Sequence, residues 1–91
     1  MQVSFDDVAQ WFEGILFGSA SREDADRWAR RAMQAEDSGK LDYAPKSDEE
    51  RIWLGLTYLF GVDLPNEAGG YLHSVADIRE AYEQLRNSHA S

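Results

Sequence analysis

Side chains that commonly catalyse reactions or bind metals are scarce in this chain of 91 residues, which has two histidines and no cysteine. Without cysteine, disulfides, thiolate nucleophiles and Cys-type zinc or iron–sulfur sites are excluded. Neither His73 nor His89 has the neighbouring nucleophile and orienting carboxylate that a catalytic base requires. The sequence also has no His-x-x-x-His pair, no Glu-x-x-His pair and no calcium-loop spacing of acids. We therefore expect no enzymatic activity, no metal and no cofactor.

Carboxylates are the most abundant reactive groups. Seventeen acidic residues against nine basic ones give a net charge of −8 and a pI near 4.5. Proteins that bind a phosphate backbone use clustered lysine and arginine, so this balance predicts that the chain does not bind nucleic acid directly. Four arginines fall in one predicted helix: Arg22, Arg27, Arg30 and Arg31. Glu23 precedes Arg27 by one turn, and Asp26 precedes Arg30 by one turn. We therefore interpret the four arginines as a solvated helix face that is neutralised by its own acids.

Four copies of a helix-start signal indicate which elements position these groups. The pattern Ser-x-x-acid begins at Ser4, Ser21, Ser47 and Ser74, and apolar residues at helical spacing follow each copy. The third copy has glutamate, the acid best suited to the reciprocal bond of a capping box. The predicted helices cover approximately Ser4–Phe17, Ser21–Ser38, Ser47–Phe60 and Ser74–Arg86. They predict an all-α fold, an antiparallel four-helix bundle, with residues 1–91 forming a single domain.

The third predicted helix is apolar on nearly every side and is expected at the centre of the fold, with Leu56 and Leu59 in the core. The longest apolar stretch, Ile52–Leu64, is shorter than the roughly 20 residues of a membrane span. The N-terminus has no basic region followed by an apolar run, so it does not resemble a signal peptide. These features predict no membrane contact and a cytoplasmic location.

Acidic residues at the helix ends and in the connections form the candidate binding site. Five of them are expected at one pole of the bundle: Glu36, Asp37, Asp42, Asp48 and Glu49. Asp63 and Glu67 are expected at the opposite pole and are the second choice. Two interpretations stay open. The acids form a docking surface that steers a basic partner, or they provide solubility and favourable helix-end charges, which alone account for Asp48 and Glu49.

Four segments carry a resemblance to a known family: Phe5–Gly14, Gly18–Ala25, Arg51–Phe60 and Val75–Arg79. Their order is an amphipathic helix, a turn of glycine, small residue, serine and acid, a second helix, an acid-led central helix and a capped last helix. This order resembles the bacterial self-protective colicin-like immunity family, which includes the colicin D type.

The resemblance implies a cytoplasmic inhibitor that binds and neutralises the basic nuclease domain of a cognate bacteriocin. In the colicin D type the toxin cleaves transfer RNA, and the acidic inhibitor occupies the place of the RNA phosphates. The acidic surface defined above is our inference from the residues. The alternative is a small helical adaptor or regulatory protein-binding module unrelated to toxins, with Tyr43, Tyr71 and the Gly69–Gly70 loop as contacts.

Overall fold

Four helices and two short strands follow one another in the computed structural model, which describes residues 1–65 and 67–87. They are β1 Gln2–Ser4, α1 Phe5–Phe17, α2 Arg22–Asp37, β2 Asp42–Ala44, α3 Glu49–Leu59 and α4 Val75–Asn87. A 3-10 turn, Lys46–Asp48, precedes α3. Each helix begins and ends within two residues of its predicted bounds. The predicted fold class, an all-α antiparallel four-helix bundle, is nevertheless wrong, because β1 and β2 form a parallel sheet. His89 lies outside the described residues.

The sheet joins two segments that α1 and α2 separate in the sequence. Val3 pairs with Tyr43 in the parallel register, and Val3 is fully buried. The Met1 ammonium donates to the carbonyl of Lys40 at 2.8 Å, and the Asp42 amide donates to the carbonyl of Met1 at 2.8 Å. Strands of three residues are too short to show the alternation that identifies a strand. The sequence pattern therefore leaves residues 42–44 in the connection between the second and third predicted helices.

Serine side chains cap the N-termini of three of the four helices. The reciprocal caps occur at Ser4 and Ser74, whereas the sequence favours one at Ser47. The Ser4 hydroxyl accepts from the Asp7 amide at 3.2 Å, and the Asp7 carboxylate accepts from the Ser4 amide at 2.9 Å. Ser74 and Asp77 make the same reciprocal pair. Ser21 only accepts from the Asp24 amide. The expectation for Ser47 is wrong, because the 3-10 turn incorporates this serine and α3 begins one residue after Asp48.

The centre of the fold is α3, as its apolar sequence predicts. Leu56 and Leu59 are fully buried, and α3 packs against the other three helices. The helix α2 contributes small, fully buried side chains: Ala25, Ala29 and Ala32. A Cβ atom on Gly55 would lie 2.5 Å from Cγ1 of Val8. Glycine at this position therefore lets α3 approach α1 closely.

The apolar character of α3 does not make it a membrane segment. It has 11 residues, whereas a span needs about 20. Throughout residues 1–65 and 67–87, no helix combines the length and the apolar character that crossing a membrane would require.

Replacing Leu56 with alanine should lower the free energy of unfolding by about 2–5 kcal/mol, because the substitution leaves a cavity in a fully buried position. Leu54→Ala is the matched control, since 48% of Leu54 is exposed and its truncation should cost about 1 kcal/mol or less. Urea unfolding followed by circular dichroism measures both. Equal losses for the two variants would contradict the central position of α3.

Candidate functional site

Three of the five acids predicted at one pole do come together. Glu36, Asp42 and Glu49 line a cavity of about 230 Å³ that Tyr43 and Lys46 also line. The Tyr43 hydroxyl donates to Glu36 Oε2 at 3.1 Å. Burial, followed by this hydrogen bond, raises the pKa of Tyr43 to about 12. The phenol is thus engaged within the protein, and the cavity also contains a lysine among its carboxylates.

The other two acids of this group lie apart from the cavity. Asp48 accepts from the Arg51 guanidinium at 3.1 Å, with both side chains largely buried. Arg51 in turn lies 3.7 Å from the centroid of the Phe5 ring. Asp37 is the exposed last residue of α2. Asp48 therefore fixes the start of α3 against α1 and is not presented to a partner.

The second-choice acids lie beyond α3. Asp63 is half-buried and Glu67 is exposed, in the connection that leads to α4. Tyr71 in this connection donates to Glu23 Oε1 at 2.9 Å, and the Arg22 guanidinium lies 4.2 Å from the centroid of its ring. Arg22 also donates to the His73 carbonyl. Arg22 and Glu23 thus hold the connection against α2.

The outer side of α2 forms a groove with α1, called here the arginine groove. It has a volume of about 460 Å³ and is lined by Trp11, Asp24, Arg27, Arg30, Arg31 and Gln34. Four of these residues follow the spacing i, i+3, i+4 and i+7 and therefore share one side of the helix: Arg27, Arg30, Arg31 and Gln34. Trp11 is half-buried, and its ring is tilted against Trp28 with a centroid distance of 5.8 Å.

The arginines of the groove differ in how firmly they are held. Arg27, 68% exposed, pairs with the exposed Asp24, so the predicted pairing of Arg27 with Glu23 is wrong. Arg31 is exposed and has no hydrogen bond or ion pair with any residue that the structure describes. Exposed ion pairs such as Arg27–Asp24 contribute little free energy and exchange readily for another anion. At least two guanidinium groups are therefore available to a ligand.

Asp26 positions Arg30, the third arginine of the groove, and connects α2 to the end of α3. Only 5% of Asp26 is exposed, and Oδ1 accepts from the Gly61 amide at 2.7 Å. Arg30 donates to Oδ2 at 3.2 Å, as the sequence spacing predicts, and its guanidinium lies 4.8 Å from the centroid of Phe60. Gly61 has φ of +83°, a conformation that favours glycine. One buried carboxylate thus positions an arginine of the groove.

A second groove differs from the arginine groove in its chemistry. It has a volume of about 510 Å³, lies between α3 and α4, and has no charged side chain among the described residues of its lining. Its walls are formed by Leu54, Thr57, Tyr58, Ala81, Gln84 and Leu85. Positive charge therefore gathers at the arginine groove, which is lined by three of the nine basic residues of the chain.

Comparison with known proteins identifies one family. The family model described as YxzC DNA-binding protein matches residues 4–85. An uncharacterized protein YxzC of Bacillus subtilis (strain 168) is 31% identical over 72 residues, which are 79% of this chain and 53% of that protein. The aligned part of the chain thus spans about half the length of this relative. No solved structure matches.

These matches overturn four expectations. Neither match is to the colicin-like immunity family, so that resemblance and the inhibitor function that it implied are wrong, as is a toxin nuclease as the partner. The family description also contradicts the expectation of no direct contact with nucleic acid. The resemblance failed because capped amphipathic helices are common to many small helical proteins. Of the two functions considered, the small regulatory module agrees better with the comparisons.

The four arginines of α2 are evident in the sequence, but the acids that precede Arg27 and Arg30 by one turn favour a face neutralised by its own charges, and for that reason the groove was missed. A shared helical spacing nevertheless links Arg27, Arg30, Arg31 and Gln34. In the sequence, Trp11 falls on the apolar side of the first predicted helix. Its place beside the arginines depends on how α1 packs against α2, which no local pattern reveals.

Replacing Asp26 with alanine should lower the free energy of unfolding by about 1–3 kcal/mol, because the Gly61 amide loses its buried acceptor. Asp26→Asn keeps an oxygen for that amide and should cost less. Asp24→Ala is the control, since Asp24 makes only an exposed pair. Thermal unfolding at matched pH measures all three. A loss for Asp26→Ala no larger than for Asp24→Ala would show that the contact does not hold α2 to α3.

Proposed function

This chain belongs to the YxzC family, and on that basis we propose that it is a small DNA-binding regulatory protein whose contact surface is the arginine groove. The observation that carries this proposal is the stripe of Arg27, Arg30, Arg31 and Gln34 along the exposed side of α2. Guanidinium groups donate paired hydrogen bonds to phosphate oxygens and to guanine, and glutamine amides pair with adenine. The stripe therefore provides donors for both the backbone and the bases of DNA.

The net charge of −8 does not prevent such a contact, because charges act locally in salt. At physiological ionic strength the Debye length is about 8 Å, so exposed acids farther away are largely screened. The acidic cavity of Glu36, Asp42 and Glu49 is built from the end of α2, from β2 and from the start of α3. The arginine groove begins earlier on α2 and faces α1. We expect modest affinity that falls as salt is added.

The proposed function is DNA binding without a catalytic step. The side chain of His73 packs on Tyr58, with ring centroids 4.9 Å apart, and its carbonyl accepts from Arg22. These contacts give His73 a structural role in holding the connection before α4. A protein that contacts DNA in this way acts where DNA is found, so we place it in the cytoplasm.

Arg31→Gln should weaken DNA binding about fivefold, since it removes one phosphate contact worth about 1 kcal/mol. The slope of log K against log salt should fall in magnitude by about 1. Fluorescence anisotropy with a labelled mixed-sequence oligonucleotide, as single strand and as duplex, at several salt concentrations measures both quantities.

The matched control is Arg79→Gln, which makes the same change of charge at an exposed position of α4. It should leave affinity and salt slope close to those of the unmodified protein. Equal effects of the two substitutions would mean that the arginine groove is not the contact surface. No binding of either DNA form at low salt would refute the proposed function itself.

A further inference from the structure

We infer that the arginine groove holds one unpaired base against Trp11, so that the protein prefers single-stranded DNA to duplex DNA. This inference rests on the proposed DNA binding and specifies which form of DNA the groove accepts. Its basis is the combination, in one groove of about 460 Å³, of an indole, guanidinium groups and an amide. That volume lies within the range of small-molecule sites.

The lining supplies each contact that a nucleotide offers. Trp11 provides an aromatic surface for the base, and stacking on it tolerates any base because all have a π face. Gln34 provides an amide that can donate to and accept from a base edge. Arg31, which has no partner among the described residues, provides a donor for the adjoining phosphate. Three of the six lining residues thus cover the base, its edge and its phosphate.

Duplex DNA does not offer the faces of its bases to such a groove. Each base in a duplex is covered on both faces by its neighbours, so an indole in a groove can stack on it only after the base flips out. Flipping costs a few kcal/mol and costs least where the base is already unpaired. A single strand supplies such bases directly, and the stacking free energy is then retained as affinity.

The charges of the groove favour the same conclusion. Asp24 lines the groove and places a carboxylate beside the arginines. A duplex carries one negative charge per about 1.7 Å of its axis, and this density is repelled by the Asp24 carboxylate in the groove. Stacking on Trp11 does not depend on charge. Binding dominated by stacking therefore suits this chain better than binding dominated by phosphate contacts.

The test compares one fluorescein-labelled mixed-sequence strand with the same strand annealed to its complement, using the full chain and anisotropy. The single strand should bind more tightly than the duplex. Trp11→Ala should weaken single-strand binding about 5- to 150-fold, the range for the loss of one base–aromatic stack. It should leave the salt slope unchanged, because stacking releases no counterions. This last readout separates stacking from a phosphate contact.

Two further variants guard against a change in folding. Trp11→Phe keeps an aromatic surface, so single-strand binding should stay within about threefold, while DNA-dependent quenching of tryptophan fluorescence should largely disappear. Trp53→Phe, on α3 and outside the groove lining, should retain both binding and quenching.

A separate variant tests the charge of the groove. Asp24→Asn removes the opposing carboxylate and should tighten binding about two- to fivefold.

The outcomes separate this inference from the proposal on which it rests. Equal or tighter duplex binding that Trp11→Ala leaves unchanged but Arg31→Gln weakens would overturn the unpaired-base inference and keep the DNA-binding function. Loss of binding in Trp11→Phe as severe as in Trp11→Ala, with both variants folded by circular dichroism, would also overturn the inference. No binding of either form of DNA would overturn both.

Discussion

The buried carboxylate of Asp26 is the contact on which the arrangement of the site depends. It accepts from the Gly61 amide at 2.7 Å and from Arg30 at 3.2 Å, so one side chain joins α2 to the end of α3 and fixes a guanidinium of the arginine groove. A buried charge without partners would be strongly unfavourable. The left-handed conformation of Gly61 directs its amide to this carboxylate, and the fold and the site are therefore coupled at this point.

Charge in this protein is organised locally. The acidic cavity near β2, the arginine groove on α2 and the uncharged groove between α3 and α4 each have a distinct lining. The net charge of −8 averages over all three and describes none of them. Because salt screens exposed charges over about 8 Å, a ligand beside Arg27 responds mainly to the arginines and to Asp24, and less to the cavity at the far end of α2.

The sequence predicts the helices well because their signals are local. Ser4 and Ser74 cap helices where the Ser-x-x-acid pattern predicts helix starts, and the apolar pattern places Leu56 in the core. The strands were missed because Val3 pairs with Tyr43 across two intervening helices. Of the site, the Asp26–Arg30 pair was predictable from its spacing. The bond from Gly61 and the position of Trp11 beside the arginines were not, since both depend on how helices pack.

The most direct test of the central claim, that the arginine groove is the DNA contact, is a titration of ¹⁵N-labelled protein with a short DNA strand followed by NMR. The largest shifts should occur at the indole N–H of Trp11 and at the amides and side chains of residues 27–34. Signals of Glu36, Asp42 and Glu49 should change little. Largest shifts at the acidic cavity or at the groove between α3 and α4, with the signals of α2 unmoved, would contradict the claim.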